Sequence, residues 1–141
     1  MGVVVDSSVL IAIERSAPPR GAADLLERLL PGDSWVSAVT TMELRIGALL
    51  GETEDRRAGR MSCLADVTAR CPVLAFAERE AEEAAALFVA LRRSGHRIGE
   101  RDLLIAATAI ANGHSLITLN RAEFERVPGL SMLDAPDFGA R

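Results

Sequence analysis

Residues 3–11 read Val-Val-Val-Asp-Ser-Ser-Val-Leu-Ile, so an uncharged apolar run leads directly to one carboxylate, Asp6, and two hydroxyl groups. A short apolar run of this kind is typical of a strand buried in a parallel sheet. In an open α/β sheet, ligands bind in the crevice outside the carboxyl ends of the strands. The position of Asp6 therefore indicates a role in chemistry rather than in solubility, and the question becomes which other acidic residues join it.

Length and composition are those of one ordinary domain. The chain has 141 residues, of which 49% are hydrophobic, and this is enough to build one core. Its longest apolar stretches, such as residues 103–111, fall short of the ~20 residues that a membrane-spanning helix needs. The first residues lack a basic leader and a cleavage site, so a secretory signal is not expected. We therefore expect a single domain over residues 1–141, no membrane segment and a cytoplasmic location.

Cysteine usage and net charge narrow the function. Cys63 and Cys71 have no companion His or Cys cluster, so we expect two reduced thiols rather than a disulfide or a zinc site. The formal net charge of -4 argues against a protein that holds nucleic acid by bulk positive charge. It does not exclude a metal-dependent nuclease, because a divalent cation supplies the positive charge that a phosphate meets.

Segments with helix and strand periodicity alternate along the chain, as a parallel α/β sheet requires. No repeat, low-complexity tract or long linker divides them. We predict strands at 3–5, 35–37, 72–76 and 116–119, with an edge strand at 130–133. We predict helices from the first strand through residue 14 and at 22–30, 54–70, 79–93 and 103–112. A further helix, between 30 and 54, is capped by Thr40 or Thr41 and continues to residue 50. Glu43 falls in the first turn of its helix in this scheme.

The acidic residues differ in the company they keep. Asp6, Glu43 and Asp102 are set against apolar neighbours, where an unpaired carboxylate is costly unless a cation or hydrogen bonds compensate it. Taken singly, Glu43 and Asp102 also fit acids that complement the positive end of a helix dipole, an effect of ~0.3–1 kcal/mol. Asp102 equally fits an ion-pair partner of Arg101 or Arg97. The acids in polar, Arg-rich stretches are expected to be ordinary surface charges: Glu27, Glu52, Glu54, Asp55, Glu78, Glu80, Glu82 and Glu83.

Together, Asp6, Glu43 and Asp102 indicate a metal site. Each stands at a strand end or a helix start, where side chains from separate elements converge on one crevice. Two carboxylates about 4 Å apart repel by roughly 4 kcal/mol at an effective dielectric constant of about 20, so the cluster stays ionised only with a cation between them. Hard carboxylate oxygens select Mg²⁺ or Mn²⁺.

A fourth group of candidates follows the predicted strand 116–119. Thr118, Asn120 and Glu123 bring polar side chains to the end of that strand. Asn120 equally fits a turn residue or a helix cap, and Glu123 fits a surface acid on a short turn of helix.

Four sequence blocks resemble the PIN domain family and, within it, the VapC-like toxins of toxin–antitoxin pairs. They are VVDSSVLI at 4–11, SAVTTMELRIG at 37–47, IGERDLLIAATA at 98–109 and ITLNRAEF at 117–124. Each block alone is a weak signal, but four blocks in the family's order and spacing cover nearly the whole chain. The resemblance implies a PIN-like three-layer α/β/α sandwich around a mostly parallel sheet of four to five strands.

The resemblance also implies a metal-dependent endoribonuclease. Matched position by position, Asp6, Glu43 and Asp102 correspond to the family's three most regular acids, which hold one or two Mg²⁺ or Mn²⁺ ions. Asp6 and Asp102 would be direct ligands, and Glu43 would be a ligand or would orient the attacking water. The reaction is then in-line attack of water on an RNA phosphodiester, with the cation lowering the pKa of that water and neutralising charge on a phosphoryl oxygen.

The last block departs from the family's pattern. Many relatives have an acid where this chain has Asn120, and Glu123 follows one helical step later. Whether a second metal ion binds therefore stays open. Ser7 and Thr118 are candidates to hydrogen-bond the acids or the waters on the metal, although small hydroxyls at strand ends are as often simple caps.

RNA binding needs local positive charge, because the chain as a whole is acidic. Arg97 and Arg101 stand just before Asp102 and are the predicted RNA contacts. Structural roles are expected for the remaining cations and rings: Arg92 and Arg93 at a solvated helix end, His96 in a loop, His114 in a surface turn, and Trp35 with the four Phe residues in the core.

The resemblance implies two protein partners. One is an antitoxin that inserts a segment, often with a basic side chain, into the acidic crevice. The other is a second copy of the chain, and apolar positions on helices 22–30 and 38–50 are candidates for that interface.

Two other classes of function share features of this sequence with the nuclease. A phosphoacceptor domain also presents an Asp after a buried strand, but this chain has no lysine after a late strand and spreads its acids over separate blocks. A non-catalytic interaction module on the same fold is the stronger alternative. The presence of Asp6, Glu43 and Asp102 together favours the enzyme.

Overall fold

A computed structural model describes residues 1–138 of the chain. Within that range the strands are β1 (Val3–Val5), β2 (Ser34–Ser37), β3 (Val73–Leu74), β4 (Ser115–Ile117) and β5 (Met132–Leu133). The helices are α1 (Ser7–Ser16), α2 (Ala22–Leu29), α3 (Ala38–Leu49), α4 (Glu54–Arg70), α5 (Glu78–Arg93), α6 (Glu100–Ala111) and α7 (Arg121–Phe124). None of these helices is long and apolar enough to cross a bilayer.

The five strands form one sheet in the order β3-β2-β1-β4-β5, and every neighbouring pair is parallel. The chain runs outward from β1 to β3 on one side and from β4 to β5 on the other, so the strand order reverses between β1 and β4. Open parallel sheets bind ligands at this switch point, outside the carboxyl ends of the strands. The register pairs Val5 with Ile117, which brings the residues after both strands to the same edge.

The side chains of β1 alternate between two cores. Val3 and Val5 pack with α1, α2 and α4 on one face, where Leu26 and Val67 are buried. Val4 packs on the other face with α5, α6 and α7, where Phe124 is fully buried. Helices therefore cover both faces of the sheet, and the predicted three-layer α/β/α sandwich around a parallel sheet is confirmed.

The predicted cap of the third helix is wrong. α3 begins at Ala38, directly after β2, and its cap is Ser37, whose Oγ accepts the Val39 N–H at 3.0 Å. The Thr41 hydroxyl instead donates to the Ala38 carbonyl within the helix. The chain passes from strand to helix without a loop, so the last strand residue does the capping. Glu43 consequently lies in the second turn of α3, not the first.

The next prediction to fail is that of α6, which begins at Glu100 rather than at residue 103. Asp102 therefore lies inside the first turn of the helix. The other predicted elements are present with small differences at their ends.

Glu80 was predicted to be a surface charge, and it is buried, with 4% of its surface exposed. Its carboxylate accepts the Ala77 N–H at 2.9 Å and the Asn112 amide at 3.2 Å. These hydrogen bonds, the Ala77 bond first, lower the pKa of Glu80 against the opposing effect of burial. Glu80 thus joins the start of α5 to the end of α6.

Two ring predictions also need correction. His114 is partly buried, stacks on Trp35 with ring centroids 5.5 Å apart, and accepts the Gly2 N–H through Nδ1 at 3.0 Å. Phe88 is 54% exposed on α5 and is not part of the core.

The cysteines behave as predicted, because both are free and buried. Burial raises the pKa of the Cys63 thiol to about 11.

Candidate active site

Asp6 is the residue that follows β1, and its side chain is only 1% exposed. Its Oδ2 atom accepts hydrogen bonds from Ser8 Oγ at 2.7 Å and from Thr118 Oγ1 at 2.8 Å. Its Oδ1 atom is buried and has no hydrogen-bond partner among the residues described. One carboxylate oxygen is therefore held by the protein, and the other is left for a group from outside.

The two hydroxyls that hold Asp6 are themselves held by the backbone after β4. Ser8 Oγ accepts the Leu119 N–H at 3.0 Å, and Thr118 Oγ1 accepts the Asn120 N–H at 2.9 Å. A hydroxyl has a single proton, and both protons are donated to Asp6. Ser8 and Thr118 therefore orient the carboxylate and have no proton left for another acceptor.

Ser8 is the site residue that the sequence analysis missed. Ser7 was named instead because it follows Asp6 directly, and it does contact an acid, but that acid is Glu43. The helix α1 begins at Ser7, so the residue two positions after Asp6 turns back towards it. A hydroxyl two residues after an acid at a strand–helix junction was the available signal, since such local hydrogen bonds are common at helix starts.

Glu43 approaches the site from the second turn of α3 and is 21% exposed. Its Oε1 atom is buried without a hydrogen-bond partner inside residues 1–138, and its Oε2 atom lies 4.0 Å from Arg101 Nη1. Burial raises the pKa of Glu43, and the nearby charges of Asp6 and Asp102 raise it further. Arg101 and the Ser7 hydrogen bond act in the opposite direction.

Asp102 comes to the same place from the first turn of α6 and is partly buried. Burial, then the charge of Asp6, then that of Glu123 raise the pKa of Asp102 to about 6. Glu123 lies on α7, and its Oε1 atom accepts the Gly99 N–H at 3.3 Å, just before α6. The structure thus brings four acids from four elements to one edge of the sheet.

The other predicted contacts lie around this edge. Asn120 is exposed and occupies the cap position of α7, but its side chain makes no capping hydrogen bond. Asn120 therefore takes the helix-cap position that one alternative gave it, without a side-chain hydrogen bond to the helix. Arg97 is exposed on the loop before α6, where its carbonyl accepts a hydrogen bond from Arg126 at 2.9 Å. Arg101 is exposed over 53% of its side chain and pairs with Glu43.

Whether the acids suit a divalent cation depends on how their oxygen atoms are already partnered. No three His, Cys, Asp or Glu side chains in the described part of the chain stand close enough to form a ready-made metal cage. However, Asp6 Oδ1 and Glu43 Oε1 are buried without partners, a state that raises the free energy of the protein unless a cation or a donor approaches. Carboxylate oxygens are the ligands that Mg²⁺ and Mn²⁺ prefer, so the residues fit such an ion.

A cavity of about 260 Å³ adjoins Glu43 between α1, α3 and α4. Apolar side chains such as Leu10, Leu44 and Val67 line part of it. Four charged side chains share the lining: Glu14, Arg15, Glu43 and Arg60. Glu43 therefore belongs both to the lining of this cavity and to the group of acids at the sheet edge.

Comparison with known proteins agrees with this architecture. A PIN domain family model matches residues 3–130. The chain is 33% identical to Ribonuclease VapC1 of Rickettsia felis over 133 residues, which cover 94% of this chain and 96% of that protein. It is 30% identical to the tRNA(fMet)-specific endonuclease VapC of Shigella flexneri over 133 residues, which cover 93% of this chain and 96% of that protein.

A solved structure leads to the same family. It is that of VapBC-5 from Mycobacterium tuberculosis, described as a member of the VapBC family of toxin–antitoxin systems. It superposes with a TM-score of 0.73 at 30% identity and covers 97% of this chain and 100% of that chain. The match over most of the sequence, the parallel sheet and the acids at its edge lead to one conclusion: the chain belongs to the PIN domain family and is similar to its VapC members.

Proposed function

We propose that this protein is an endoribonuclease that hydrolyses RNA phosphodiester bonds and acts as the toxin of a toxin–antitoxin pair. The observation that carries the proposal is the pair of buried, unpartnered oxygens, Asp6 Oδ1 and Glu43 Oε1, at the edge of the sheet where parallel folds bind ligands. Relatives named as ribonucleases and endonucleases, similar over more than nine-tenths of the chain, support RNA as the substrate.

We further propose Mg²⁺ or Mn²⁺ as the cofactor, held by Asp6 and Asp102, with Glu43 as a third ligand or as the group that orients the attacking water. When bound, such a cation lowers the pKa of water and neutralises charge that develops on a phosphoryl oxygen. The protein's own part is positioning, because Ser8 and Thr118 fix the Asp6 carboxylate.

Contacts to RNA are proposed for Arg97 and Arg101, which are both exposed, Arg97 on the loop before α6 and Arg101 beside Glu43. Asn120 and Glu123 are proposed supporting residues, with Ser7 and Thr118. Asn120 is exposed, and its backbone N–H donates to Thr118, which holds Asp6. An exposed amide at this position suits the edge of an unstacked base. Glu123 holds the loop before α6 through Gly99, so its support is exerted on the position of Asp102.

An antitoxin is the proposed inhibitor, and the similarity to VapBC-5, described as a member of the VapBC family of toxin–antitoxin systems, supports such a partner. A homodimer stays a prediction, and α3 is the better candidate for its surface. Leu49 and Leu50 at the end of α3 are 66% and 74% exposed, whereas Leu25 and Leu26 of α2 pack against the core.

We propose the cytoplasm as the location. We also propose one domain as the organisation, since both cores share the same sheet.

Removal of the metal is the direct test of the function. Purified protein is expected to cleave members of a panel of structured RNAs, including tRNA, with Mg²⁺ or Mn²⁺ present. An excess of EDTA is expected to stop cleavage because it removes the divalent cation that activates the attacking water. Added Mn²⁺ is expected to restore cleavage. Cleavage is followed on denaturing gels. No cleavage of any RNA, together with no metal binding by calorimetry, would favour the non-catalytic interaction module.

Loss of the Ser8 hydroxyl is expected to weaken activity without unfolding the protein. Ser8→Ala removes one of two donors to Asp6 Oδ2 and the acceptor of the Leu119 N–H, so the carboxylate loses its fixed orientation. We expect about a tenfold fall in kcat/KM, and a stability loss of about 1 kcal/mol, the usual value for one hydrogen bond. Ser62→Ala, on the exposed surface of α4, is the control. If Ser8→Ala and Ser62→Ala cleave RNA equally well, Ser8 does not orient Asp6 for the reaction.

A further inference from the structure

Arg101 occupies a place that helix stability does not explain. It lies in the first turn of α6, next to Glu100 and Asp102. The amino-terminal end of a helix carries partial positive charge, which favours acids and disfavours a cation such as Arg101. Its side chain extends to α3 instead, where Nη1 lies 4.0 Å from Glu43 Oε2. The contact with Glu43, rather than the stability of α6, is therefore the candidate reason for an arginine at this position.

The ion pair between Arg101 and Glu43 is loose. A separation of 4.0 Å exceeds the length of a hydrogen bond, and the Arg101 side chain is 53% exposed. The guanidinium contact is to Oε2, and the buried Oε1 atom has no hydrogen-bond partner in the described structure. Pairs with this much solvent exposure contribute little free energy, so another cation can displace the guanidinium easily.

A divalent cation that uses the free oxygens of Asp6 and Glu43 would meet the guanidinium at the same carboxylate. Two cations at one carboxylate repel each other, so the ion with the higher charge and the shorter contact prevails. We propose that Arg101 is an internal counterion of Glu43, which a divalent cation displaces and which then binds a phosphate of the RNA. This inference rests on the proposed function, because it assumes a metal-dependent ribonuclease.

The chemistry of the guanidinium suits the second half of this role. A guanidinium is planar and presents paired N–H donors that match the oxygens of a phosphate. Arg101 directly precedes Asp102, so a displaced side chain stays beside the acids that it leaves. The chain as a whole has a net charge of -4, and a cation released at the site counters the repulsion that RNA meets there.

The role predicts effects of opposite sign in one variant. Arg101→Gln removes the competing cation, so Mn²⁺ should bind the RNA-free protein about fivefold more tightly, which corresponds to about 1 kcal/mol. The same variant loses a phosphate contact, so kcat/KM for tRNA at saturating Mn²⁺ should fall about tenfold. The dependence of RNA binding on salt should also weaken by roughly 0.7 in logarithmic slope, as for one contact to a single strand. A residue with only a structural role would not improve metal binding.

The experiment compares three variants with the unsubstituted protein. Titration calorimetry with MnCl₂ measures metal affinity, and cleavage of unfractionated tRNA measures kcat/KM. Arg97→Gln removes the same charge from the neighbouring loop and is expected to lower cleavage while it changes Mn²⁺ affinity by less than about twofold. Arg101→Lys keeps the charge and should retain the original Mn²⁺ affinity. Thermal unfolding confirms that each variant is folded, and the exposure of Arg101 makes this outcome the expected one.

The outcomes separate the inference from the function on which it rests. Mn²⁺ affinity in Arg101→Gln that is equal to or weaker than in Arg97→Gln overturns the counterion role alone. Tighter Mn²⁺ binding with unchanged cleavage overturns the phosphate contact. If the unsubstituted protein binds no Mn²⁺, both the counterion role and the metal dependence of the proposed function are overturned.

Discussion

Asp6→Asn is expected to lower kcat/KM for RNA cleavage by about a thousandfold. The substitution keeps the shape of the side chain and still lets Ser8 and Thr118 donate to an oxygen. It removes the negative charge, however, and turns an amide donor towards the place where Oδ1 is now buried and unpartnered. The loss of one preorganised electrostatic contact in an active site typically lowers the rate by about 10²–10³-fold. The loss of a metal ligand is expected to reach the upper end of that range.

The same variant should remain folded, which separates chemistry from stability. In EDTA, its unfolding temperature is expected not to fall, because the substitution removes one charge from a cluster of carboxylates that raise each other's free energy. Asp24→Asn is the matched control, since Asp24 lies on the exposed surface of α2 and pairs with Arg28 of the same helix. Cleavage by Asp6→Asn at the rate of Asp24→Asn would show that Asp6 is not part of the active site.

Mn²⁺ affinity is expected to weaken about tenfold for each pH unit below about 6. The pKa of Asp102 is raised to about 6 by burial, then by Asp6, then by Glu123. Below that pH the carboxyl holds a proton that the metal must displace, and one displaced proton gives a tenfold change per unit. Above that pH the affinity should level off. Calorimetry with MnCl₂ between pH 5 and pH 7.5 measures the curve, and Glu123→Gln should move its midpoint to lower pH.

The stability of the metal-free protein is expected to fall as pH rises, whereas its Mn²⁺ affinity rises. Folded Asp102 binds its proton more tightly than the unfolded chain does, so the free energy of unfolding falls as pH rises from about 4 to about 6. Because the group is partly exposed, solvent screening limits the change to about 1 kcal/mol. The raised pKa of Glu43 adds to it with the same sign. Asp102→Asn should flatten this dependence, and a curve unchanged by that substitution would contradict the assignment.

The layered fold could be predicted because its signals are local. A run of three valines before Asp6 indicates a strand buried on both faces, and the structure places Val4 in one core and Val3 with Val5 in the other. The alternation of such runs with helix-period segments then leads to a parallel sheet. The four motif blocks are also local, so the PIN domain family was identified before any contact was known.

Predictions failed where a residue depends on a distant partner. Glu80 sits among charged residues and was expected on the surface, but it is buried because Asn112, 32 positions away, donates to it. His114 was expected in a surface turn, but it is partly buried because its ring stacks on Trp35 of a different element. Charge patterns along a chain describe the average exposure of a segment, and they contain no information on which hydrogen-bond donor will fold against it.

The sequence by itself determined the strands, the family and the acids Asp6, Glu43 and Asp102 as candidates, because each of these acids stands among apolar neighbours where an unpaired carboxylate is costly. Only the tertiary structure decided how these acids are held. The register of β1 with β4 brings Thr118 to Asp6 across 112 positions, and helix packing brings Arg101 to Glu43. Ser8, rather than Ser7, completes the support of Asp6 because the first turn of α1 directs it there. Such contacts follow from strand register and helix packing, which the spacing of residues along a chain does not specify.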